Sequence, residues 1–544
     1  MGGKNNTKLA VIGLDGATWE LIKPWAMEGK LLTFKKLIEN GVWGKLESTI
    51  PPVTIPAWIS FVTGKNPGRL GCYNFLMPRK SLNDMRPVTT KDIPGKTFYE
   101  ILYENGKKCI IINLPGSYPP RIKEIIITSF LTQGDNFIFP PDLVDEIPEF
   151  KNYRLVPDRS LIVRGKNIDY INDIRELERN RFECAKKLFK KNWDFFFILF
   201  SGTDWIQHIM FDILISNDID DDADLIRAYK EIDEYIGWFI DHAPKNTNFL
   251  FMSDHGFSSY KRIFFINEWL RELGYLKVEC RARNKTIRHK FEKETEKAMY
   301  RRMNIKPPIF LLKYFKLFIW AYPIYLKLKK ILPIEIRLDV VQPNLSETIA
   351  YTATNWGSNF GGIYINDKIR FIDGTVDFKS YENIRDEIIS DLKQLKDPKT
   401  GKNVVKNVWK KEEIYTGSHL YAAPDIIFEL DNKYHVSLLY AGKVFSDKKV
   451  QRNQHSLQGI FLAYGPDIKE GMEVKGIKIY DIAPTILYMF GLPIPRDVDG
   501  KVLRNIFKEN SRFVKEDIIY QKTEINEKMR IRKRIKELEV LRKI

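Results

Sequence analysis

Short runs of apolar residues alternate along the chain with segments of helical periodicity. The apolar runs are Lys8–Leu14, Cys109–Asn113, Phe195–Phe200, Asn248–Met252, Asp425–Leu430 and Gly459–Tyr464. Such runs are typical of parallel strands, because both faces of these strands are covered. The helical segments are Phe34–Asn40, Tyr99–Asn105, Asp169–Lys191 and Asp222–His242. The alternation predicts an α/β fold, with a mostly parallel sheet flanked by helices and functional residues beyond the carboxyl ends of its strands.

The alternation is interrupted between residues 271 and 345, where lysine, arginine and aromatic residues are concentrated. We predict that this stretch is a mostly helical cap inserted into the α/β domain. The core then comprises residues 1–270 and 346–507, and residues 508–544 form a charged helical tail. The most apolar part of the insertion, Leu317–Leu326, is shorter than the roughly 20 residues of a membrane-spanning helix. Its neighbouring lysines would also suit peripheral contact with an anionic membrane surface.

Composition and charge narrow the class of protein only slightly. Of the 544 residues, 44% are hydrophobic and 29% are charged, which excludes a largely disordered chain. The net charge of +17 favours anionic ligands such as phosphorylated substrates. The lysines are spread over the chain without a compact stripe, so we expect no specific nucleic-acid site. A non-catalytic anion or nucleic-acid binder is the alternative that this charge leaves open.

Cysteine usage and the start of the chain bear on location. The four cysteines lie far apart and form no CxxC pair, which argues against a zinc ribbon or a redox pair. A disulfide framework is also not expected at this size. The first apolar stretch is too short for the core of a signal peptide. We therefore predict a cytoplasmic protein.

Two segments near the N-terminus place reactive side chains at predicted element ends. Asp15 directly follows the first strand, where it serves either as a metal ligand or in a turn. Thr54 lies near the start of a helix predicted over residues 56–62, where the backbone N–H groups and the helix dipole favour an anion. A hydroxyl at this position is either a helix cap or a nucleophile.

Three later segments add carboxylates and imidazoles. Asp204 and His208 follow the third run, and because they are four residues apart they share one face of a helix. Such a pair can hold a divalent ion, or it can be a surface pair. Asp254 and His255 follow the fourth run, and His455 precedes the last one. We treat the other histidines as structural or surface residues, namely His242, His289, His419 and His435.

In their order and spacing these residues resemble the alkaline phosphatase superfamily, in particular its type I phosphodiesterase/nucleotide pyrophosphatase branch. The resemblance rests on Gly-Leu-Asp-Gly-Ala at residues 13–17, on PPVTIPAWISFVTGKNPG at residues 51–68 and on Ser-Asp-His-Gly-Phe at residues 253–257. The Asp204–His208 step, His455 and the stretch over residues 479–500 also match. The resemblance covers nearly the whole chain except the insertion and the C-terminal segment.

The resemblance implies an alkaline-phosphatase-like fold with a site for two divalent metal ions. One ion would be held by Asp204, His208 and His455. The other would be held by Asp15, Asp254 and His255, with Thr54 contacting the metals or the phosphate. Mixed aspartate and histidine ligands suit Zn²⁺, and Mn²⁺ is the alternative. Thr54 would attack phosphorus and form a phospho-threonine that water then hydrolyses.

The resemblance further implies that a small-molecule phosphodiester or pyrophosphate is the substrate. Threonine at position 54 does not fit a sulfatase, and it favours diesters over monoesters. Asn74 is the candidate that hydrogen-bonds a phosphate oxygen, although it lies about one residue short of the family position. Lys65, Asn66 and Arg69 are alternatives to it. The alternative activity is a phosphotransferase or phosphomutase, possibly one directed at a lipid head group, which uses the same site.

Overall fold

The computed structural model describes residues 7–216, 224–282, 339–447 and 453–521. Within these ranges the strands, in chain order, are β1 (Lys8–Leu14), β2 (Val42–Glu47), β3 (Leu76–Pro78), β4 (Met85–Pro87), β5 (Cys109–Leu114), β6 (Ile125–Thr128), β7 (Ile138–Phe139), β8 (Phe195–Phe200), β9 (Thr247–Met252), β10 (Gly256–Ser259), β11 (Arg262–Phe265), β12 (Val278–Ala282), β13 (Asp339–Pro343), β14 (Ala350–Tyr351), β15 (Phe360–Ile365), β16 (Val405–Lys410), β17 (Ile426–Leu430), β18 (Tyr434–Ser437), β19 (Phe445–Ser446), β20 (Asn453–Ser456), β21 (Gln458–Tyr464), β22 (Met472–Lys478), β23 (Ile494–Pro495) and β24 (Tyr520–Gln521).

The α-helices of the same ranges are α1 (Trp19–Met27), α2 (Leu32–Asn40), α3 (Thr54–Thr63), α4 (Pro67–Leu70), α5 (Phe98–Glu104), α6 (Leu143–Glu146), α7 (Ser160–Val163), α8 (Asn167–Phe189), α9 (Gly202–Leu214), α10 (Asp224–Asp241), α11 (Ile266–Glu272), α12 (Phe378–Gln394), α13 (Lys411–Ile414), α14 (Ile482–Met489) and α15 (Arg512–Lys515). The four helices predicted from periodicity correspond to α2, α5, α8 and α10, with bounds within two residues of those expected.

A nine-stranded sheet in the order β22-β2-β21-β9-β1-β8-β5-β6-β7 forms the centre of the molecule. Its middle strands β9, β1, β8, β5 and β6 are mutually parallel. The apolar runs predicted β1, β5, β8 and β9, whereas β6 was not predicted. The run at residues 459–464 is also a strand of this sheet, but β21 pairs antiparallel with β9 and β2. The prediction of a parallel strand was wrong there, because the chain enters β21 from the edge at which β1 and β9 end.

Helices cover both faces of the central sheet. Successive strand residues point to opposite faces, so Ala10 and Ile12 pack in one apolar core whereas Leu9 and Val11 pack in the other. Helices α1, α2, α8, α9 and α10 contribute to the first core, and α3, α5 and α14 contribute to the second. The predicted α/β architecture, a mostly parallel sheet between helical layers, is confirmed.

A smaller lobe contains sheets of its own. Strands β14, β15, β17 and β16 form a four-stranded antiparallel sheet, and β18, β11 and β19 form a three-stranded one. The run at residues 425–430 therefore belongs to this lobe as β17 and not to the parallel sheet. Its apolar pattern is the same because both of its faces are buried here too. The division of the chain at residues 270, 345 and 507 stays a prediction.

The predicted cap and tail lie largely outside the described residues, namely at 283–338 and 522–544. The described flanks of the cap are mainly extended, because β12 and β13 pair with each other in antiparallel register. In the described start of the tail, α15 is a single short turn and β24 pairs in parallel with β23. Among the described helices, we find none whose length and apolarity together would allow it to cross a bilayer.

We expect the aromatic packing between the sheet and α3 to be a main source of stability. Phe197 of β8 is 1% exposed, and its ring centroid lies 5.7 Å from those of Trp58 and Phe61. Phe197→Ala should lower the free energy of unfolding by about 3–5 kcal/mol through lost burial and the cavity left behind. Urea denaturation followed by tryptophan fluorescence would measure the change. Phe378→Ala is the control, because Phe378 is 65% exposed, and equal shifts for both variants would contradict the expectation.

Candidate active site

The register of three parallel strands brings two candidate carboxylates to one edge of the central sheet. Leu14 pairs with Phe200 and Gly13 pairs with Met252, so that β1, β8 and β9 end side by side. Asp15 therefore lies beside the loops that carry Ser201 and Asp254. This is the carboxyl edge at which open α/β sheets place their ligand sites.

His455 reaches the same edge from the opposite chain direction. It lies in β20, directly before β21, and pairs with Phe257 of β10. Its backbone N–H donates to the carbonyl of Gly357 at 2.8 Å, and its own carbonyl accepts from the Tyr260 hydroxyl at 2.8 Å. The antiparallel direction of β21 is thus what allows a residue about 440 positions after Asp15 to join it.

The first group of candidate ligands comprises Asp204, His208 and His455. The Asp204 Oδ1 atom lies 3.4 Å from His208 Nε2 and 3.5 Å from His455 Nε2. The two Nε2 atoms are 3.1 Å apart. Asp204 and His208 are four residues apart on α9, so the predicted shared face is confirmed.

The second group comprises Asp15, Asp254 and His255, with Thr54 beside them. His255 Nε2 lies 3.3 Å from Asp254 Oδ2 and 3.8 Å from Asp15 Oδ1. The Thr54 Oγ1 atom is 3.4 Å from the same nitrogen. The rings of His255 and His455 stack with centroids 3.6 Å apart, which joins the two groups. The structure therefore brings together all seven residues singled out from the sequence.

The imidazoles are oriented by the backbone. His255 Nδ1 is 3.1 Å from the carbonyl of Gly256, and His455 Nδ1 is 3.0 Å from the carbonyl of Pro52. An Nδ1–H that donates to a carbonyl leaves the Nε2 lone pair free, which is the usual arrangement of a metal-binding histidine.

Three carboxylates of the site carry a buried oxygen that has no hydrogen-bond partner in the described part of the chain: Asp15 Oδ1, Asp204 Oδ1 and Asp254 Oδ2. Burial and the neighbouring carboxylates of Asp254 and Asp204 raise the pKa of Asp15 well above its ordinary value. Burial raises the pKa of Asp254 to about 7. Burial acts on Asp204 too, but His208 and His455 outweigh it and hold its pKa low. The cluster is short of positive charge.

Of the candidate nitrogen ligands, His255 and His455 are buried, while the His208 side chain is 35% exposed. Burial lowers the pKa of His208 to about 4 and that of His255 well below its ordinary value, so both imidazoles are neutral near pH 7. Two sets have all their ligand atoms within 4.8 Å of one another, Asp204 with His255 and His455, and Asp15 with Asp254 and His255. Unpaired carboxylate oxygens beside neutral imidazoles fit Zn²⁺ or Mn²⁺ by chemistry.

Sequence analysis missed the side chains that hold this edge together. The Thr203 hydroxyl donates to the Asp15 carbonyl at 2.6 Å, and Gln207 Nε2 donates to the Gly16 carbonyl at 2.8 Å. The N–H of Gly16, which has a φ of 66°, donates to Asp254 Oδ1 at 3.1 Å. Thr203 and Gln207 each directly precede a candidate ligand on α9. This position in the sequence is the feature from which their role could have been predicted.

Asn74 is anchored by the backbone. Its Nδ2 donates to the carbonyl of Asn355 at 2.8 Å, and its Oδ1 accepts from the N–H of Phe75 at 2.6 Å. An amide nitrogen carries two hydrogens, so a second hydrogen can serve a ligand.

The three alternatives to Asn74 lie at the opposite end of α3 from Thr54. Lys65 pairs with Asp497 at 2.6 Å, and Arg69 pairs with Asp499 at 2.8 Å. Asn66 Nδ2 also donates to Asp499, at 2.7 Å. Helix α3 has ten residues and is about 15 Å long, so these side chains lie far from Thr54. They connect the end of the helix to the turn that contains Asp497 and Asp499.

Comparison with protein-family models matches residues 9–314, more than half of the chain, to the type I phosphodiesterase / nucleotide pyrophosphatase family. Comparison with curated protein sequences gives no significant match. Among solved structures, phosphonoacetate hydrolase from Sinorhizobium meliloti, in complex with phosphonoformate, has a TM-score of 0.53 at 12% identity over 89% of this chain and 95% of that chain. At this identity the similarity supports the fold alone.

A second similar structure is murine ectonucleotide pyrophosphatase / phosphodiesterase 5, in an inactive form in complex with AMP. Its TM-score is 0.49 at 13% identity, over 92% of this chain and 100% of that chain.

We expect divalent metal to stabilise the folded protein. After dialysis against a chelator, Zn²⁺ or Mn²⁺ at 100 times its Kd should add about 2.7 kcal/mol, which differential scanning fluorimetry would detect as a higher Tm. Asp254→Asn removes one charge from the buried cluster, so its metal-free Tm should not fall below that of the wild type and its metal-dependent rise should shrink. Asp142→Asn, at an exposed position, should respond like the wild type. A full metal response in Asp254→Asn would contradict the site.

Proposed function

The chain belongs to the type I phosphodiesterase / nucleotide pyrophosphatase family, a family of hydrolases that act on phosphoric ester bonds, and we propose that it cleaves a phosphodiester or pyrophosphate bond through a covalent intermediate on Thr54. The observation that carries the proposal is the Thr54 hydroxyl, 5% exposed and 3.4 Å from His255, beside buried carboxylates with unpaired oxygens. A hydroxyl so placed lies where metal ions held by these carboxylates would bring a phosphate.

Metal-dependent chemistry is a property of this family, and the proposal assigns two divalent ions to the site. One would be held by Asp204, His208 and His455, and the other by Asp15, Asp254 and His255. The ions would neutralise the phosphate and favour the ionised form of the Thr54 hydroxyl. Zn²⁺ is the proposed metal because half of the ligands are imidazoles, and Mn²⁺ is the alternative.

Thr54 is suited to attack by its place in the fold. It is the first residue of α3, where unpaired N–H groups and the helix dipole favour a phosphate. In the first step a lone pair of Oγ1 forms a bond to phosphorus, the bond to the leaving oxygen breaks, and the hydroxyl proton passes to solvent while the leaving oxygen gains a proton. In the second step water attacks phosphorus, the bond to Oγ1 breaks, and the threonine hydroxyl is restored.

Asn74 would orient the phosphate. Its amide is fixed by bonds to Asn355 and Phe75, so the second Nδ2 hydrogen has a defined direction. A fixed donor costs little to reorganise during the reaction.

The remaining parts of the proposal concern location and alternative activity. Cys72, Cys109 and Cys184 are buried free thiols, which is in keeping with the predicted cytoplasmic location. The residues that suggested membrane contact, such as Lys313 and Lys327, lie outside the described part of the chain. Transfer to an alcohol would use the same first step, so adding an acceptor alcohol to the assay tests it directly.

Removal of the Thr54 hydroxyl should abolish turnover without removing the metals. Thr54→Ala should lower kcat/KM for bis-p-nitrophenyl phosphate on the order of 10³-fold or more, whereas Thr54→Ser should keep a measurable rate. Intact-mass spectrometry after acid quench should show the retained phosphoryl adduct on the wild type and on Thr54→Ser only. Thr400→Ala is the exposed control. Unchanged turnover in Thr54→Ala would refute the covalent mechanism.

Substitution of Asn74 should reduce the stabilisation of the transition state without affecting metal binding. Asn74→Ala should lower kcat/KM by about 10–100-fold, the usual effect of losing one fixed donor to a developing anion, with metal content unchanged. Asn105→Ala, which removes an amide that donates to the Ile101 carbonyl on α5, is the matched control. Equal kinetics for the two variants, measured on bis-p-nitrophenyl phosphate and on p-nitrophenyl phosphate, would remove Asn74 from the proposal.

A further inference from the structure

A buried carboxylate outside the proposed ligand set touches the helix that carries Asp204 and His208. We propose that Glu178 of α8 is a positioning residue, which fixes the start of α9 and thereby the geometry of the Asp204–His208 half of the metal site. The inference rests on the proposed function, because it assumes that those two side chains hold a metal ion.

Glu178 caps α9 from a neighbouring helix. Its Oε1 accepts the backbone N–H groups of Ser201 at 2.8 Å and of Gly202 at 2.6 Å. The first N–H groups of a helix have no partner inside the helix, and Ser201, the N-cap residue, makes no side-chain capping bond. An anionic acceptor at this end is also favoured by the helix dipole. Glu178 therefore does for α9 what a capping side chain normally does.

The close approach depends on glycine at position 202. A Cβ added there would lie 3.0 Å from Ile174 Cγ2, 3.1 Å from Glu178 Cγ and 3.3 Å from Glu178 Oε1. These distances are tighter than ordinary contacts, so a side chain would push the carboxylate and the helix start apart.

Arg181 holds the carboxylate in place. Its Nη1 lies 2.8 Å from Glu178 Oε1 and 2.7 Å from Oε2, and both residues are almost fully buried. The guanidinium lies 5.9 Å from the ring centroids of Tyr153 and Trp205. Glu178 therefore has little freedom to follow a shift of α9.

The start of α9 sets the position of the ligands. Asp204 lies in the first turn of the helix and His208 one turn later, while Thr203 bonds the Asp15 carbonyl at 2.6 Å. Metal–ligand distances tolerate deviations of only about 0.2 Å. A small displacement of the helix start would consequently lower the affinity for the metal ion held by Asp204 and His208 more than the affinity for the ion held by Asp15 and Asp254.

Two double variants separate positioning from mere stability. Apolar replacement of a buried ion pair often leaves stability unchanged or improves it, so Glu178→Leu combined with Arg181→Met should fold but lacks the acceptor. Glu178→Gln combined with Arg181→Met keeps a side-chain oxygen for the two N–H groups. We would measure Zn²⁺ affinity and stoichiometry by chelator competition and elemental analysis, and hydrolysis of bis-p-nitrophenyl phosphate separately.

We expect the Leu/Met variant to bind one of its two Zn²⁺ ions about 10–100-fold more weakly, the usual effect of losing a group that orients a ligand. The Gln/Met variant should stay close to the wild type. Gly202→Ala, made with Glu178 and Arg181 unchanged, should lower the affinity for the same ion. It serves as the test if the double variants do not fold. Glu176→Leu, at an exposed position on α8, is the control.

Three outcomes would overturn the inference. Wild-type affinity in both the Leu/Met variant and Gly202→Ala would show that Glu178 only stabilises the fold. An equal loss of affinity for both Zn²⁺ ions would also show that Glu178 only stabilises the fold. So would an equal loss of affinity in the Leu/Met and Gln/Met variants. If the wild type binds two ions and hydrolyses the diester, and the variants behave like it, only this inference is refuted. If the wild type binds no ion, the proposed function is refuted as well.

Discussion

The structure is organised around three carboxylates that are buried together with too few partners. Asp15, Asp204 and Asp254 each retain a buried oxygen that accepts no hydrogen bond from the described residues. An ionised carboxylate removed from water costs several kcal/mol unless a cation compensates it, and a whole domain is stable by only about 5–15 kcal/mol. Such a cluster lowers the stability of the folded state without cations, and it favours the binding of cations. Its cost is offset when divalent ions occupy the site.

The backbone keeps these groups from moving apart to relieve their repulsion. The parallel register of β1, β8 and β9 fixes three chain segments at one edge of the sheet. The Gly16 N–H then holds Asp254, and the Thr203 hydroxyl holds the Asp15 carbonyl. The candidate ligands are therefore held in place by the fold itself, and the proposed metal ions would need to rearrange them little on binding. Under the proposed mechanism, this preorganisation would help a weak nucleophile such as the Thr54 hydroxyl to react at neutral pH.

Sequence reasoning succeeded where the signal was local. Continuous apolar runs predicted four of the parallel strands, and the candidate ligands that follow those strands lie together at one edge of the sheet. It failed where strand direction mattered, because a buried apolar run reads the same in β21 and β17 as in a parallel strand. It also missed Glu178, since a glutamate in a helix rich in charged residues resembles any surface glutamate. Its burial arises from the packing of α8 against α9, which no local pattern records.

The smaller lobe anchors both the proposed phosphate-orienting amide of Asn74 and the candidate metal ligand His455. The Asn355 carbonyl accepts from Asn74, and the Gly357 carbonyl accepts from the N–H of His455. Both acceptors belong to the segment between β14 and β15 of the smaller lobe. The relative position of the proposed phosphate-orienting amide and of a metal ligand is therefore set by this lobe as well as by the central sheet. A metal site of the proposed kind would attract any phosphate, so we expect discrimination between leaving groups to come from surfaces that share this anchor.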